Sequence, residues 1–211
     1  MRPVGFRFGF GRFYAPRGHR LDAERIYLRP PRYRDWRAWA ELRESSRAFL
    51  TPWEPDWPTD ALGHAAYRRR LRQVALEWHT DAGYAFHILR RADDTLLGGV
   101  TLSNVHRGIA QSASLGYWVG RPHARRGHMV EALRCLLPFA FERLGLHRIE
   151  AACLPHNEAS RRLLLQVGFT PEGQARDYLR IAGVWQDHLL FGLIKGDLER
   201  RERPARTSIQ A

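Results

Sequence analysis

The segment that most restricts the fold is 113–145, where the apolar spacing changes abruptly from that of a strand to that of a helix. Residues 113–119 form an apolar run that reads as a strand. Beyond it, Met129, Leu133, Leu136, Leu137, Ala140, Phe141 and Leu144 draw a stripe down one helix face, and Gly145 stands at the C′ position. Pro138 lies inside the stripe and is expected to kink the helix, because it has no N–H to donate. The join is Gly120-Arg121-Pro122-His123-Ala124-Arg125-Arg126-Gly127-His128. A helix start offers unpaired N–H groups and the positive end of the macrodipole, and glycine lets a phosphate approach the backbone. A pyrophosphate fits such a loop, although on residue type alone the same glycine reads first as a plain turn.

The rest of the chain extends this α/β pattern. Apolar alternation at 24–29 gives a first strand that Pro30 and Pro31 stop. Asp35 is placed to cap a helix running to about Arg47, and Thr59 or Asp60 to cap another through Tyr67, Leu71, Val74 and Trp78. Apolar runs at 84–89 and 96–102 flank Asp93-Asp94 as a hairpin. A strand at 148–154, a helix at 159–167 closed by Gly168, and a hairpin at 170–194 turning near Ala182-Gly183 complete the order β-α-α-β-β-β-α-β-α-β-β. A chain of 211 residues with this content is expected to form one domain, at 21–195. Residues 1–20, rich in Arg, Gly, Phe and Pro, read as a flexible basic and aromatic arm, and 196–211 as a charged, frayed tail.

Charge and cysteine content narrow the setting. Lys and Arg number 34 against 22 Asp and Glu, a net charge of +12 that suits a polyanionic neighbour such as RNA or a phosphorylated cofactor. Arg68, Arg69, Arg70 and Arg72 crowd one helix, either as a solvated face or as a phosphate-contacting array. Cys135 and Cys153 read as apolar residues of a helix and a strand, which fits a reducing cytoplasm. The ten histidines have no ligand spacing, so no metal is expected. No apolar run is long enough to cross a membrane, and no membrane partner is expected.

The strand, glycine-bearing loop and long helix are followed by a strand, by Asn157-Glu158-Ala159-Ser160, and by a short helix ending Val167-Gly168-Phe169. This arrangement resembles the GNAT acetyltransferases over roughly 24–194. Ser103-Asn104-Val105, Leu115-Gly116-Tyr117-Trp118, Glu131-Ala132-Leu133, Arg148-Ile149-Glu150-Ala151 and Trp185-Gln186-Asp187-His188 are similar to the RimJ/RimL-type enzymes. The resemblance implies an α/β (α+β) domain whose mixed, mostly antiparallel sheet is flanked by helices and splayed between its fourth and fifth strands, at 112–119 and 148–154. It also implies acetyl-coenzyme A bound there. The family's phosphate-loop positions fall on Ala124, Gly127 and Met129, of which only Gly127 keeps the family's residue. The cofactor would then lie along Trp118 and Val119 and on the backbone of Arg125, Arg126, Gly127, His128 and Met129, with Arg125 and Arg126 adding charge-assisted contacts.

The family's asparagine that orients the pantetheine arm falls on Asn157, and its general acid toward the leaving thiolate on Ser160; by residue type alone both are helix caps. The acidic base proposed in RimL-type relatives falls on Leu179, which leaves Glu150, acting through water, as the candidate carboxylate. Trp53 and Glu54, in an acidic and aromatic loop at 51–58, are candidates to hold a cationic acceptor. The function implied is acetyl transfer to an amine, foremost the N-terminal α-amine of a ribosomal or other protein, by a monomer or homodimer. A small-molecule amine acetyltransferase and a non-catalytic RNA-binding relative are the alternatives.

Overall fold

Ile26, Tyr27 and Leu28 are consecutive and all buried, so the strand that carries them is covered on both faces. Ile26 and Leu28 join Phe86, Ile88, Leu133 and Leu136 in the larger of two apolar clusters; Tyr27 joins Leu89, Leu96, Trp39 and Tyr67 in the smaller. The computed structural model describes residues 19–202. Its strands are β1 (Leu21–Asp22), β2 (Ile26–Arg29), β3 (Tyr84–Arg90), β4 (Leu96–His106), β5 (Ser112–Val119), β6 (Arg148–Cys153), β7 (Thr170–Ile181) and β8 (Val184–Ile194). They form one sheet in the order β1-β2-β3-β4-β5-β6-β8-β7. Helices α1 (Trp36–Ser45), α2 (Arg47–Leu50), α3 (His64–His79), α4 (His128–Pro138), α5 (Glu158–Val167) and α6 (Lys195–Glu202) complete the domain.

Every neighbouring strand pair is antiparallel except β5 with β6, which is parallel and short. Ser112, Ala113 and Ser114 lie opposite Arg148, Ile149 and Glu150, and there the pairing stops. From Leu115 onward β5 remains paired with β4, and from Ala151 onward β6 remains paired with β8, so the two strands part and open a wedge between them. This is the splay expected from the sequence. Alternate N–H and C=O groups of 115–119 thus face a gap with no strand opposite, which is a rare condition for backbone inside a sheet.

Several local expectations change. Asp35 does not cap α1. Its carboxylate accepts bonds from the buried Arg29 guanidinium at 2.7 and 2.8 Å and from the Arg32 N–H at 2.7 Å, and lies 3.2 Å from His87 Nδ1. A buried ion pair outcompetes a solvent-facing cap. The helix expected to begin at Thr59 or Asp60 starts at His64, with Gly63 as its extended N-cap residue. Pro138 ends the regular α4 ladder, and the chain continues as a π turn over Phe139–Arg143, where the Leu144 N–H reaches back five residues to the Phe139 carbonyl at 3.0 Å. The tail expected to fray from 196 is helical through Glu202. Of the N-terminal arm, residues 1–18 lie outside the described residues, as do 203–211 of the tail; His19 already packs its ring against Trp78, with centroids 5.0 Å apart.

Candidate active site

One end of the wedge is closed by the loop into α4. Gly127, the N-cap residue, has φ 79°, a conformation that favours glycine; a Cβ there would meet only the flexible end of Arg25, at 3.3 Å. Arg125 is also left-handed, at φ 59°. The helix leaves its first N–H groups, from His128 to Val130, without intrahelical acceptors. Arg25 holds the loop's shape: it donates to the Arg126 carbonyl at 3.2 Å and pairs with Glu131 at 2.9 Å. His123 and His128 each bury an Nδ1 that has no hydrogen-bond partner. Both imidazoles titrate below the usual histidine range, first because burial disfavours the cation, then because Arg90 acts on His123 and Arg25 on His128. Arg25, Arg90 and Arg126 therefore give this loop a positive potential, and the free backbone N–H groups of the α4 start add donors, which are the properties an anionic group requires.

Where the strands have parted, the N-terminus of α5 brings a second group together. Asn157 caps that helix, its Oδ1 accepting the Ser160 N–H at 3.0 Å. Ser160 Oγ lies 2.6 Å from the Tyr117 hydroxyl, joining the α5 N-terminus to β5. Burial raises the Tyr117 phenol above its ordinary range, keeping it protonated at neutral pH, and raises the Cys153 thiol as well. Neither cysteine is oxidised to a disulfide.

The opposite face of the wedge is built from α1 and the 51–58 loop. Trp118 turns away from α4 and packs against β4 at Gly99, where a Cβ would stand 2.6 Å from its Nε1. The Arg43 guanidinium lies 4.9 Å from the Trp118 ring centroid and 4.1 Å from that of Trp57. Trp53 stacks on His156, the residue before Asn157, with centroids 5.4 Å apart. The loop is pinned at its far side by the Ala182 N–H, which donates to the Glu54 carbonyl at 3.1 Å.

Comparison with known proteins decides the family. Residues 25–170 match the model of the acetyltransferase (GNAT) domain. The chain belongs to the GNAT acetyltransferases. It is 34% identical over 180 residues to a probable N-acetyltransferase of Bacillus subtilis, YjcK, covering 85% of this chain and 99% of that one. It is also 34% identical over 180 residues to the ribosomal protein uS5-alanine N-acetyltransferase of Escherichia coli, covering 84% and 92%. The solved structure of Mycobacterium smegmatis RimJ in complex with CoA-disulfide superposes with a TM-score of 0.81 at 32% identity, covering 85% of this chain and 89% of that one.

Within this GNAT domain the sequence-derived candidates divide into groups. Gly127, His128, Met129, Arg125 and Arg126 sit together at the α4 entrance, and Asn157 and Ser160 together at α5. Val119 ends β5 between these groups, opposite Gly98; Trp118 adjoins them through its backbone, because its indole belongs to the other face. Two candidates are corrected. Glu54 is not free to hold a cation: Arg43 engages both of its oxygens at 2.9 and 2.6 Å, and the Trp57 indole donates to it at 2.9 Å. Glu150 does not join Ser160, since strand alternation exposes it while Cys153 is buried, and it bonds Arg148 at 2.8 Å. Leu179 lies exposed on β7, and the neighbouring Asp177 is held in a left-handed bulge by Asp187, which accepts its N–H at 3.0 Å. Tyr117 and His156 are the residues sequence reasoning passed over. The signal for Tyr117 was available, for alternation along β5 sends it to the face opposite Trp118.

Among the described residues no group of three or more His, Cys, Asp or Glu side chains is arranged to hold a metal ion, and no helix is long and apolar enough to cross a membrane.

Proposed function

We propose that this GNAT enzyme transfers the acetyl group of acetyl-coenzyme A to the N-terminal α-amine of a protein, with ribosomal proteins as the acceptor class. The reading is carried by the Ser160–Tyr117 pair at the point where β5 and β6 part, with the donor-rich α4 entrance on the same strand. Acetyl-coenzyme A supplies an acetyl thioester. The backbone of Arg125 to Met129, with the arginine charge around it, would receive its phosphates. N–H groups of 115–119 that face the gap would order the rest of the donor and polarise the reacting carbonyl.

Ser160 would give its proton to the departing thiolate, while Tyr117, whose phenol stays protonated, fixes the serine hydroxyl's direction. No strong base is needed for this acceptor: an α-amine with a pKa of about 8 is roughly a tenth neutral at pH 7, whereas a lysine amine near 10.4 is almost wholly charged. The exposed, arginine-paired Glu150 agrees with that economy. The likeness to a uS5-alanine N-acetyltransferase supports the acceptor class.

The test is mass spectrometry of two peptides incubated with the protein and acetyl-coenzyme A. One has a free alanyl N-terminus; the other has the same sequence with a blocked N-terminus and an internal lysine. A single acetyl group on the free α-amine of the first peptide alone is expected. Acetylation of the lysine, or of neither peptide while a small amine is acetylated, would overturn the reading.

A further inference from the structure

Behind the 51–58 loop, on the face away from α4, lies a cavity of about 320 Å³ between α1, α3 and the loop. Its walls include Trp39, Trp57 and prolines, and its charged groups are Arg43, Arg70, Glu54 and Asp56. These charges are not equivalent. Glu54 is spent on Arg43 and on the Trp57 indole, and the Asp56 carboxylate turns to the β7–β8 hairpin tip, 3.0 Å from where a Gly183 Cβ would be. Arg43 keeps a buried Nε with no partner. Arg70 is open to solvent yet, among the described residues, makes no hydrogen bond or ion pair. Close packing around the guanidinium and then the Arg43 charge push it below its ordinary range, while the Arg70 side chain as a whole keeps solvent contact.

An unpaired guanidinium lining a recess that also holds Trp39 and Trp57 is a receptor for a carboxylate carried on a short apolar stem. The same loop that walls this cavity with Trp57 walls the transfer site with Trp53, which stacks on His156 beside Asn157. A peptide with its amine at the wedge would run along the loop at about 3.3–3.6 Å per residue, bringing one of its next few side chains over the cavity.

Resting on the reading above, we infer that the Arg70 cavity selects acceptor peptides that carry an aspartate or glutamate within the first few residues after the acetylated N-terminus. The recognised chemistry is a peptide carboxylate.

The experiment is steady-state acetylation at saturating acetyl-coenzyme A of alanyl peptides that differ only in bearing Glu, Gln or Lys at position two, three or four. At one of these positions the Glu peptide should exceed its Gln counterpart in kcat/KM by about tenfold or more, mainly through KM. In the Arg70→Ala and Arg70→Gln variants the Glu:Gln ratio should fall to near one, and in Arg70→Glu the Lys peptide should overtake the Glu peptide. Equal turnover of Glu and Gln peptides by the wild type at all three positions would overturn this inference alone, as would a preference that survives in both neutral Arg70 variants. Acetylation of none of the peptides would overturn the acceptor reading and this inference with it.

Discussion

Ser160 and Tyr117 concentrate the chemical argument in two hydroxyls 2.6 Å apart. Removing the serine hydroxyl removes the proposed proton donor, so Ser160→Ala should lower kcat about 10²–10⁴-fold with little change in acetyl-coenzyme A affinity by calorimetry. Tyr117→Phe should lower kcat less, because it loosens the serine without deleting it. Equal loss of cofactor binding in both variants would instead mark the pair as structural. Asp35 tests a different kind of residue. Burial opposes its ionisation, but hydrogen bonds from Arg29 and His87 outweigh that and hold the carboxyl well below the usual carboxylate range. Its folded pKa is depressed, so its contribution to stability is complete above the unfolded value near pH 4 and declines as pH falls from there toward the folded pKa. Asp35→Asn strands the Arg29 charge and should cost about 3–5 kcal/mol in urea denaturation at pH 7, with the gap to wild type narrowing in acid. The left-handed turn at Gly127 and the capping of α5 by Asn157 were legible because those residue types match a local need of the backbone. Glu54 and Glu150 were misread because one-dimensional spacing does not say which arginine will reach a carboxylate first. Arg43 is eleven residues from Glu54 in sequence and touches it only because α1 and the loop fold together.

At the scale of elements, β4 sets the position of β5. A Cβ at Gly98 would fall 2.2 Å from the Trp118 carbonyl oxygen, so the backbones themselves would have to move apart. Gly98→Ala should cost about 1–3 kcal/mol and weaken acetyl-coenzyme A binding, since the strand it displaces borders the wedge; a stability loss with unaltered binding would contradict that link. The stripe on α4 was legible, and Met129, Leu133, Leu136 and Leu137 are buried as its spacing requires. Leu133→Ala should cost about 2–5 kcal/mol by thermal or urea unfolding. What the periodicity does not reveal is how a chain copes with a proline in such a stripe. The π turn after Pro138 shows the outcome: the interior-facing residues Phe139, Ala140 and Phe141 stay buried while the hydrogen-bond spacing widens. α1 starts directly after Asp35, as its sequence suggests, but the side chain does not cap it because Arg29 engages the carboxylate; the start of α3 was placed too early, at Thr59 or Asp60 rather than His64.

The whole molecule is a sheet pulled open at one parallel joint, with donor-rich loop and hydroxyl pair on one side of the opening and an aromatic, arginine-lined recess on the other. The mixed, mostly antiparallel sheet and its splay between the strands at 112–119 and 148–154 follow from the family resemblance; pattern alone gives the elements but not their order across the sheet. The basic excess distributes unevenly, with Arg25, Arg90 and Arg126 acting on the histidines at the α4 entrance and Arg43 and Arg70 at the recess. The α4 entrance is proposed as a phosphate site whose shape depends on the left-handed Gly127. Isothermal titration of the protein with acetyl-coenzyme A, alongside a Gly127→Trp variant whose far-UV spectrum matches wild type, tests this most directly. Saturable binding by the wild type that the variant loses is the predicted result, whereas no binding to the wild type, or undiminished binding to the variant, would contradict it.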